Sequence, residues 1–277
     1  MPDSGVLIVC ATPIGNLGDV TLRVLDALRD ADIIEAEDTR VTRKLLARYD
    51  IHTPLEPYHA KNLDARTPAV VQRVAGGARV ALVSDAGTPG VSDPGAHLVD
   101  ACLEAGLRVD VLPGASAIIT ALVASGLPTH AFYFGGFLPR KAGERMRALE
   151  KLATLDATLI FYESPRRTAR TLADIAQAFP GRRAAMAREL TKLFEEVVRG
   201  EVAAVAASLA ERELKGEVVL LVGPPMRDRG VEIDEAEIGD RVDALLAQGM
   251  SRKDAVKRVA EQSGVARNEI YRIALGR

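Results

Sequence analysis

The chain of 277 residues contains no tryptophan, and aromatic residues make up only 4% of it, so its core must be aliphatic. Its two cysteines, Cys10 and Cys102, are too few for a disulfide framework in a chain of this length. Four scattered histidines lack the spacing of metal ligands, and we predict no metal site. There is no apolar run long enough to span a bilayer and no basic-then-apolar N-terminus. We therefore expect a cytoplasmic protein without a membrane segment.

The composition is that of an ordinary globular protein, with 48% apolar and 27% charged residues. The charge is unevenly distributed. Residues 251–277 carry a net charge of +4, whereas the whole chain carries −2, so residues 1–250 carry −6. A basic end on an acidic body suggests a polyanionic partner.

The stretch VALVSDAGTPGVSDPG, Val80 to Gly95, organises the rest of the chain. Val80 to Val83 is a short apolar run and predicts a buried strand. The loop after it is rich in Gly, Pro and Asp, residues that stabilise special backbone shapes or offer polar groups. Ligands of open α/β sheets bind beyond the carboxyl ends of the strands. This loop is the predicted floor of a binding site, although many Gly/Pro-rich loops are only surface connections.

Apolar runs alternate with helical stripes from Gly5 to Ala124, which predicts a mostly parallel α/β sheet. The loop after the first strand lacks the G-x-G-x-x-G spacing of a dinucleotide fingerprint. We expect an N-terminal α/β domain over residues 1–125, an α/β domain over 126–225 and a small helical module over 226–277.

The second half continues the pattern with several specific expectations. Ala131 to Phe134 is a predicted strand, and residues 135–143 form a glycine-rich basic loop. Pro165 suits the first turn of a helix that ends near Phe179. A further helix is predicted over residues 202–214. Near the C-terminus, two helices separated by Ser263-Gly-Val-Ala form a helix-turn-helix pattern, which Ser251 and Asp254 open as a capping pair.

Several separated motifs together resemble the tetrapyrrole-methylase-like superfamily of S-adenosylmethionine (SAM) methyltransferases. They are ATPIGNLGD (11–19), EAEDTRVTRKLL (35–46), SDAGTPGVSDPG (84–95), LPGASA (112–117), FYESPRR (161–167) and ELTKLFEE (189–196). Within that superfamily they are most similar to the group that methylates the 2′-hydroxyl of a cytidine in small-subunit (16S) ribosomal RNA. The resemblance covers essentially the whole chain.

The resemblance implies a homodimer of class III SAM methyltransferase fold, in which two α/β domains hold SAM in the cleft between them. It also implies an rRNA substrate, either free or in the assembled 30S subunit. The residues that match the cofactor-binding segments of the superfamily are Pro13, Gly15, Asp85, Gly87, Val91, Ser116, Ala117, Phe161, Tyr162, Leu193 and Glu217.

A ribose 2′-hydroxyl is a poor nucleophile, so a base must accept its proton. The candidate bases are Asp38, Asp93 and Glu189, and Lys192 is a candidate to stabilise developing negative charge. The sequence does not rank these bases, and Asp38 is equally well suited to cap a helix. A path for RNA is predicted along the basic residues Arg40, Arg43, Lys141, Arg166, Arg167, Arg252, Lys253 and Lys257.

Three other functions compete with rRNA methylation. A tetrapyrrole C-methyltransferase of the same superfamily does not need a basic helical tail. An oxidoreductase would need a dinucleotide fingerprint in the first loop. A non-enzymatic RNA-binding regulator leaves the Gly/Pro/Asp loops at the strand ends unexplained.

Overall fold

A computed structural model describes residues 5–225, 235–263, 265 and 267–275. Its contacts divide the chain into one compact unit, Met1–Pro224, and a second, Pro225–Arg277. The predicted linker after residue 225 and two residues of the predicted tail turn, 264 and 266, lie outside the described residues. The predicted boundary at residue 125 falls inside the first unit and stays a prediction.

The first sheet is fully parallel, with the strand order β3-β2-β4-β1-β5. Its strands are β1 (Val6–Cys10), β2 (Ile33–Ala36), β3 (Leu55–Pro57), β4 (Arg79–Val83) and β5 (Arg108–Leu112). The helices that connect or follow them are α1 (Leu22–Asp30), α2 (Thr39–Arg48), α3 (Leu63–Ala75), α4 (Gly95–Glu104) and α5 (Ala117–Ser125). Aliphatic clusters lie on both faces of the sheet, which explains why its central strands are continuous apolar runs.

The second sheet has the order β6-β7-β10-β8-β9. Its strands are β6 (Phe132–Phe137), β7 (Thr158–Glu163), β8 (Arg183–Arg188), β9 (Glu196–Glu201) and β10 (Val218–Val222). The helices of this half are α6 (Ala142–Glu150), α7 (Thr168–Ala178) and α8 (Val202–Leu209). Only β6 and β7 are parallel, and every other pair is antiparallel. The mostly parallel sheet predicted for residues 5–124 is therefore confirmed, and the second sheet, for which no strand direction was predicted, is mixed.

Three local expectations in this half are corrected by the structure. Strand β6 continues through Gly135 and Gly136 to Phe137 with an irregular register, so the predicted loop begins later. Helix α7 begins at Thr168, after a turn that contains Pro165, and α8 ends at Leu209 rather than 214. Strand β9 was not predicted. Glycine normally weakens the interior of a strand. Gly135 in β6 packs directly against the Phe161 ring, and a Cβ added to Gly135 would lie only 2.6 Å from Phe161 Cε1.

The tail unit contains α9 (Glu235–Ala247), α10 (Arg252–Ser263) and α11 (Arg267–Leu275) around their own apolar cluster. The predicted capping pair is present, because the Asp254 N–H donates to Ser251 Oγ at 3.2 Å. Val256 and Val259 are buried, whereas Arg252, Lys253 and Lys257 are exposed. The helix thus has an apolar inner face and a basic outer face.

Candidate functional site

A cavity of about 430 Å³ lies at the carboxyl end of the first sheet, between that sheet and the second. Its floor is the loop after β4, which contributes Asp85, Gly87, Val91, Ser92 and Asp93. The opposite side comes from the end of β7 and the start of β10. Other residues that line the cavity are Ile14, Glu37, Ser116, Ala117, Phe137, Tyr162, Glu163, Ser164, Pro165, Leu190, Gly216 and Glu217. The predicted floor loop therefore does line a ligand-sized space.

The floor loop is held in shape by backbone bonds and one carboxylate. Gly87, at φ +79°, exchanges two backbone hydrogen bonds with Thr12 at 2.8 and 3.0 Å. Asp93 Oδ1 accepts from the N–H groups of Gly90 (2.8 Å) and Gly95 (2.7 Å). Ser92 has a φ of +66°, which is rare for a residue with a side chain and often found at functional sites. One oxygen of Asp93 is therefore committed to the shape of the loop.

The cavity is lined by five carboxylates, and none of its lining residues is Lys, Arg or His. Two of these carboxylates pair with cations behind the cavity wall. Glu163 binds Arg167 at 3.1 Å, and Glu217 binds Lys192 at 2.8 Å. Glu37, Asp85 and Asp93 form no ion pair with the described residues, and of these three only Asp93 caps the floor loop. The inside of the cavity is therefore suited to a positively charged ligand.

Glu37 and Asp85 lie at the ends of neighbouring strands, β2 and β4. Glu37 Oε2 accepts from the Asp85 N–H at 3.3 Å, and Asp85 Oδ1 accepts from the Asp38 N–H at 3.0 Å. Burial raises the pKa of Glu37, and the charges of Asp85, Asp93 and Asp38 raise it further against the hydrogen bond from Asp85. Burial likewise raises the pKa of Asp85. A raised pKa makes a carboxylate a stronger base than an ordinary surface carboxylate.

Asp38 has a different environment from Glu37. It caps α2 by accepting from the Arg40 N–H at 2.8 Å, and the Arg40 guanidinium binds both of its oxygens. These hydrogen bonds from Arg40 lower the pKa of Asp38 to about 2. A carboxylate with so low a pKa is a weak proton acceptor, and Asp38 does not line the cavity.

The segment 189–195 closes the cavity from the side of the second sheet. Lys192 Nζ donates to Glu189 Oε1 at 2.9 Å and to Glu217 Oε2 at 2.8 Å. Burial lowers the pKa of Lys192, but the hydrogen bonds to Glu217 and Glu189 outweigh it and raise the pKa. Glu189 and Thr191 have positive φ values of 51° and 65°. The strained backbone and the ion-pair network together position Leu190 and Glu217 against the cavity.

The comparisons with known proteins agree with this architecture. Residues 6–206 match the profile of the family described as Tetrapyrrole (Corrin/Porphyrin) Methylases. The chain belongs to the tetrapyrrole methylase family. Residues 232–277 match a second profile, described as the RsmI C-terminal HTH domain. The predicted family and fold class are thus confirmed.

Full-length relatives carry the name "Ribosomal RNA small subunit methyltransferase I". The Mesorhizobium japonicum protein is 46% identical over 98% of this chain and 92% of its own length. The Bacillus subtilis protein is 40% identical over 97% of this chain and 94% of its own. Among solved structures, the methyltransferase CobJ is 26% identical with a TM-score of 0.59, covering 80% of this chain and 94% of CobJ.

A more distant structure shows only the fold. It is the uroporphyrin-III C-methyl transferase from Thermus thermophilus complexed with S-adenyl homocysteine. That protein is 19% identical with a TM-score of 0.57, over 80% of this chain and 99% of its own.

Not all of the predicted cofactor residues of this tetrapyrrole methylase lie at the cavity. Asp85, Gly87, Val91, Ser116, Ala117, Tyr162 and Glu217 line it. Pro13 and Gly15 flank the lining residue Ile14, and an added Cβ on Gly15 would lie 2.5 Å from Lys192 Cγ. Phe161 is 1% exposed in the core of the second sheet, because alternate residues of a strand face opposite sides. Leu193 is 90% exposed and does not line the cavity.

The predicted RNA-contacting cations divide into exposed and structural groups. Arg40, Arg43, Lys141, Arg166, Arg252, Lys253 and Lys257 are exposed. Arg167 instead donates to the Leu138 carbonyl at 2.9 Å and pairs with Glu163, so the structure assigns it to holding a loop.

Glu37 and Phe137 are among the lining residues that were not predicted as site residues. Glu37 directly follows a predicted strand, and ligands of parallel sheets bind beyond the carboxyl ends of the strands. Its place in the sequence could therefore have identified Glu37 as a site residue. Phe137 could not be identified in this way, because Gly135 and Gly136 made the sequence after Phe134 resemble a loop instead of the end of β6. Among the described residues no cluster of His, Cys, Asp and Glu is arranged as metal ligands. None of the described helices is long and apolar enough to cross a membrane.

Proposed function

We propose that this chain is a SAM-dependent methyltransferase that modifies the 2′-hydroxyl of a cytidine in small-subunit (16S) ribosomal RNA. The observation that carries the proposal is the acidic cavity at the carboxyl end of the first sheet of a tetrapyrrole methylase fold. The name of the full-length relatives supports the rRNA acceptor. Such an acceptor also fits a cytoplasmic protein.

The residues around the cavity fit the chemistry of SAM. When bound, SAM supplies a methyl carbon made electrophilic by a positively charged sulfonium. The five lining carboxylates favour such a cation, and Gly87, which lines the cavity without a side chain, allows a ligand to approach the backbone of the floor loop closely. Ser116 caps α5, accepting from the Ile119 N–H at 3.5 Å, and places a helix N-terminus at the cavity. Tyr162 and Glu217 complete the site that we assign to the cofactor.

The proton of the acceptor hydroxyl goes to Glu37 in this proposal, with Asp85 as its partner. Glu37 lines the cavity, is half-buried and makes no ion pair with the described residues. Asp93 shapes the floor loop, Asp38 binds Arg40, and Glu189 binds Lys192. Those three carboxylates remain candidates from sequence, but their existing partners make Glu37 the better base. Lys192 acts by orienting Glu217.

The RNA is expected to lie outside the acidic cavity, because carboxylates repel phosphate groups. Exposed cations are available at the rim and on the tail, including Arg40, Arg43 and Arg166 beside the cavity-lining segments. Phosphate contacts of this kind position a nucleic acid without reading its sequence. The tail helix α10 adds a basic face on a unit that matches a helix-turn-helix profile.

We also propose a homodimer. Val111 on β5, at the edge of the first sheet, is exposed, as are Ile119 and Val123 on α5. Exposed apolar side chains on an edge strand and on the helix that follows it are typical of a protein contact. Light scattering of the full chain is expected to give twice the monomer mass, and Val123→Glu to shift it toward the monomer. A monomeric wild-type chain would contradict the dimer.

The deciding experiment is transfer of labelled methyl groups from SAM to small ribosomal subunits from cells that lack this protein, with naked RNA in parallel. We expect label on the ribose of one cytidine. The matched control is the same subunit purified from cells that contain the protein, which is already modified and accepts no label. If neither substrate accepts label while SAM still binds, the acceptor assignment is wrong, and tetrapyrroles are tested next.

A further inference from the structure

Phe137 occupies an unusual position for an aromatic side chain. It is 58% exposed and yet lines the cavity. Its ring centroid lies 5.7 Å from that of Tyr162, whose ring also packs edge-on against Phe134 at 4.9 Å. One side of Phe137 is therefore supported by an aromatic cluster while much of the ring remains open to solvent at the mouth of the cavity.

The chain that follows Phe137 is held by two arginines. Arg145 is 1% exposed, binds Asp174 and donates from Nη1 to the carbonyls of Pro139 and Arg140, both at 3.0 Å. Arg167 donates to the carbonyls of Leu138 (2.9 Å) and Pro139 (3.3 Å). Residues 137–140, which we call the rim segment, thus form a fixed structure rather than a free loop.

The hydrogen bonds of Arg167 also connect two segments that each carry an exposed arginine. Ser164 and Pro165 line the cavity, and the exposed Arg166 follows them directly. Arg167, the residue after Arg166, ties this turn to the rim segment, which ends at Arg140. Arg140 is also exposed, and neither arginine forms an ion pair with the described residues. No more than about 11 Å of chain separates Phe137 from Arg140.

We propose that the rim segment is the binding site for the nucleotide that receives the methyl group, with Phe137 stacking on its base and Arg140 and Arg166 holding a flanking phosphate. This inference rests on the proposed function, because it places the methyl-accepting nucleotide beside the cavity that we assign to SAM. An aromatic ring with an open face suits a base that has been turned out of its stack. The carboxylates inside exclude phosphate, so a phosphate-binding group belongs at the rim, where both arginines lie.

The test compares Phe137→Leu and Phe137→Tyr in the full chain, with unmethylated small subunits as substrate. Leucine keeps apolar area but lacks a flat face, so we expect the KM for the subunit to rise about 5- to 150-fold. Tyrosine is expected to stay within about threefold of wild type. The Kd for SAM, measured by calorimetry, is expected to be unchanged in both. Phe132→Leu is the matched control, since Phe132 is an exposed aromatic on the same strand that does not line the cavity.

The phosphate contact is tested with Arg140→Ala. We expect weaker binding of the subunit and a slope of log affinity against log salt that is smaller by about 0.7–0.9. Arg147→Ala is the control, because Arg147 is exposed on α6 but lies outside the rim segment. An equal loss of affinity in both variants would mean that only total charge matters and would overturn the assignment.

Two further outcomes would also overturn it. If Phe137→Leu weakens SAM binding and leaves the KM for the subunit unchanged, Phe137 covers the cofactor instead. If Phe137→Leu and Phe132→Leu have the same effect, the strand and not the ring is responsible. A wild-type chain that transfers no methyl group would contradict the proposed function. The nucleotide-binding role of the rim segment would still be tested, because the effect of these variants on subunit binding can be measured without methyl transfer.

Discussion

Glu37, the base that we propose, is a residue whose environment opposes folding when its side chain is charged. Its pKa is raised in the folded chain by burial and by neighbouring carboxylates. The protonated form therefore favours the folded state. That contribution to stability is present below the pKa of the unfolded chain and is lost as the pH rises through the folded pKa. At neutral pH the charge on Glu37 opposes folding, which is typical of active-site groups.

We therefore predict that Glu37→Gln lowers kcat by about 10²- to 10⁴-fold without lowering the melting temperature at pH 7. In the wild type the rate should fall as the pH drops through the raised pKa of Glu37, because the active form is the carboxylate. This acid limb is expected to be absent from the residual activity of the variant. Rate profiles against pH and thermal melts provide the measurement.

Asp38→Asn is the control for that experiment, since Asn also caps helices well and removes a nearby charge. Its activity should stay within about tenfold of wild type. Near-normal turnover in Glu37→Gln, or an equal decrease in Asp38→Asn, would show that the base has been assigned to the wrong residue.

At the scale of elements, the conformation of the segment 189–195 depends on close packing against Gly216, which lies just before β10. Gly216 has a φ of +86°, and a Cβ there would overlap the carboxylate of Glu189. Lys192 holds Glu189 and Glu217 together, and the Asn16 N–H donates to Thr191 Oγ1 at 3.1 Å. Residues from both halves of the unit thus meet around one network.

Gly216→Ala should displace Glu189 and release Lys192, weakening SAM binding about tenfold or more. The free energy of unfolding should also fall by about 2–4 kcal/mol, from the strained φ together with the clash. Gly181→Ala separates the effect of backbone strain from the effect of the clash. Gly181 also has a positive φ, +73°, but nothing lies within 4 Å of an added Cβ. It is expected to lower the free energy of unfolding by only about 1–2 kcal/mol and to leave SAM affinity unchanged. Thermal melts and calorimetry would disprove this account if the two variants behaved alike.

For the whole molecule, the uneven charge predicts separate tasks for the two units. We expect replacement of Arg252, Lys253 and Lys257 by Ala to leave SAM affinity unchanged and to weaken RNA binding. The slope of log affinity against log salt should decrease by about 0.7–0.9 for each phosphate that the tail no longer binds. Alanine preserves helix α10, so folding should not change.

The matched control for the tail removes three exposed cations of the first unit, Arg23, Lys151 and Lys215. Filter binding at several salt concentrations measures both triple variants. If the control weakens RNA binding as much as the tail variant, the tail has no special part in recognition.

Much of the fold was predictable from local patterns. Apolar runs marked eight of the ten described strands, and Thr21, Asp38 and Ser116 cap their helices as short polar side chains at such positions should. Strand β9 was missed because Val197 and Val198 stand alone between charged residues. Strand direction in the second sheet could not be predicted, because helices alternate with strands in parallel and mixed sheets alike.

The sequence by itself determined which residues stand at the strand ends, where the basic tail lies and which family the chain belongs to, since these properties are local or are carried by long motifs. Only the tertiary structure decided which of five cavity carboxylates remain without a cation, and that Phe161 is buried while Phe137 is open. The physical reason is that the protonation and exposure of a side chain depend on partners far away in sequence. Asn16 meets Thr191, and the Asp38 N–H meets Asp85, only after the sheets have formed.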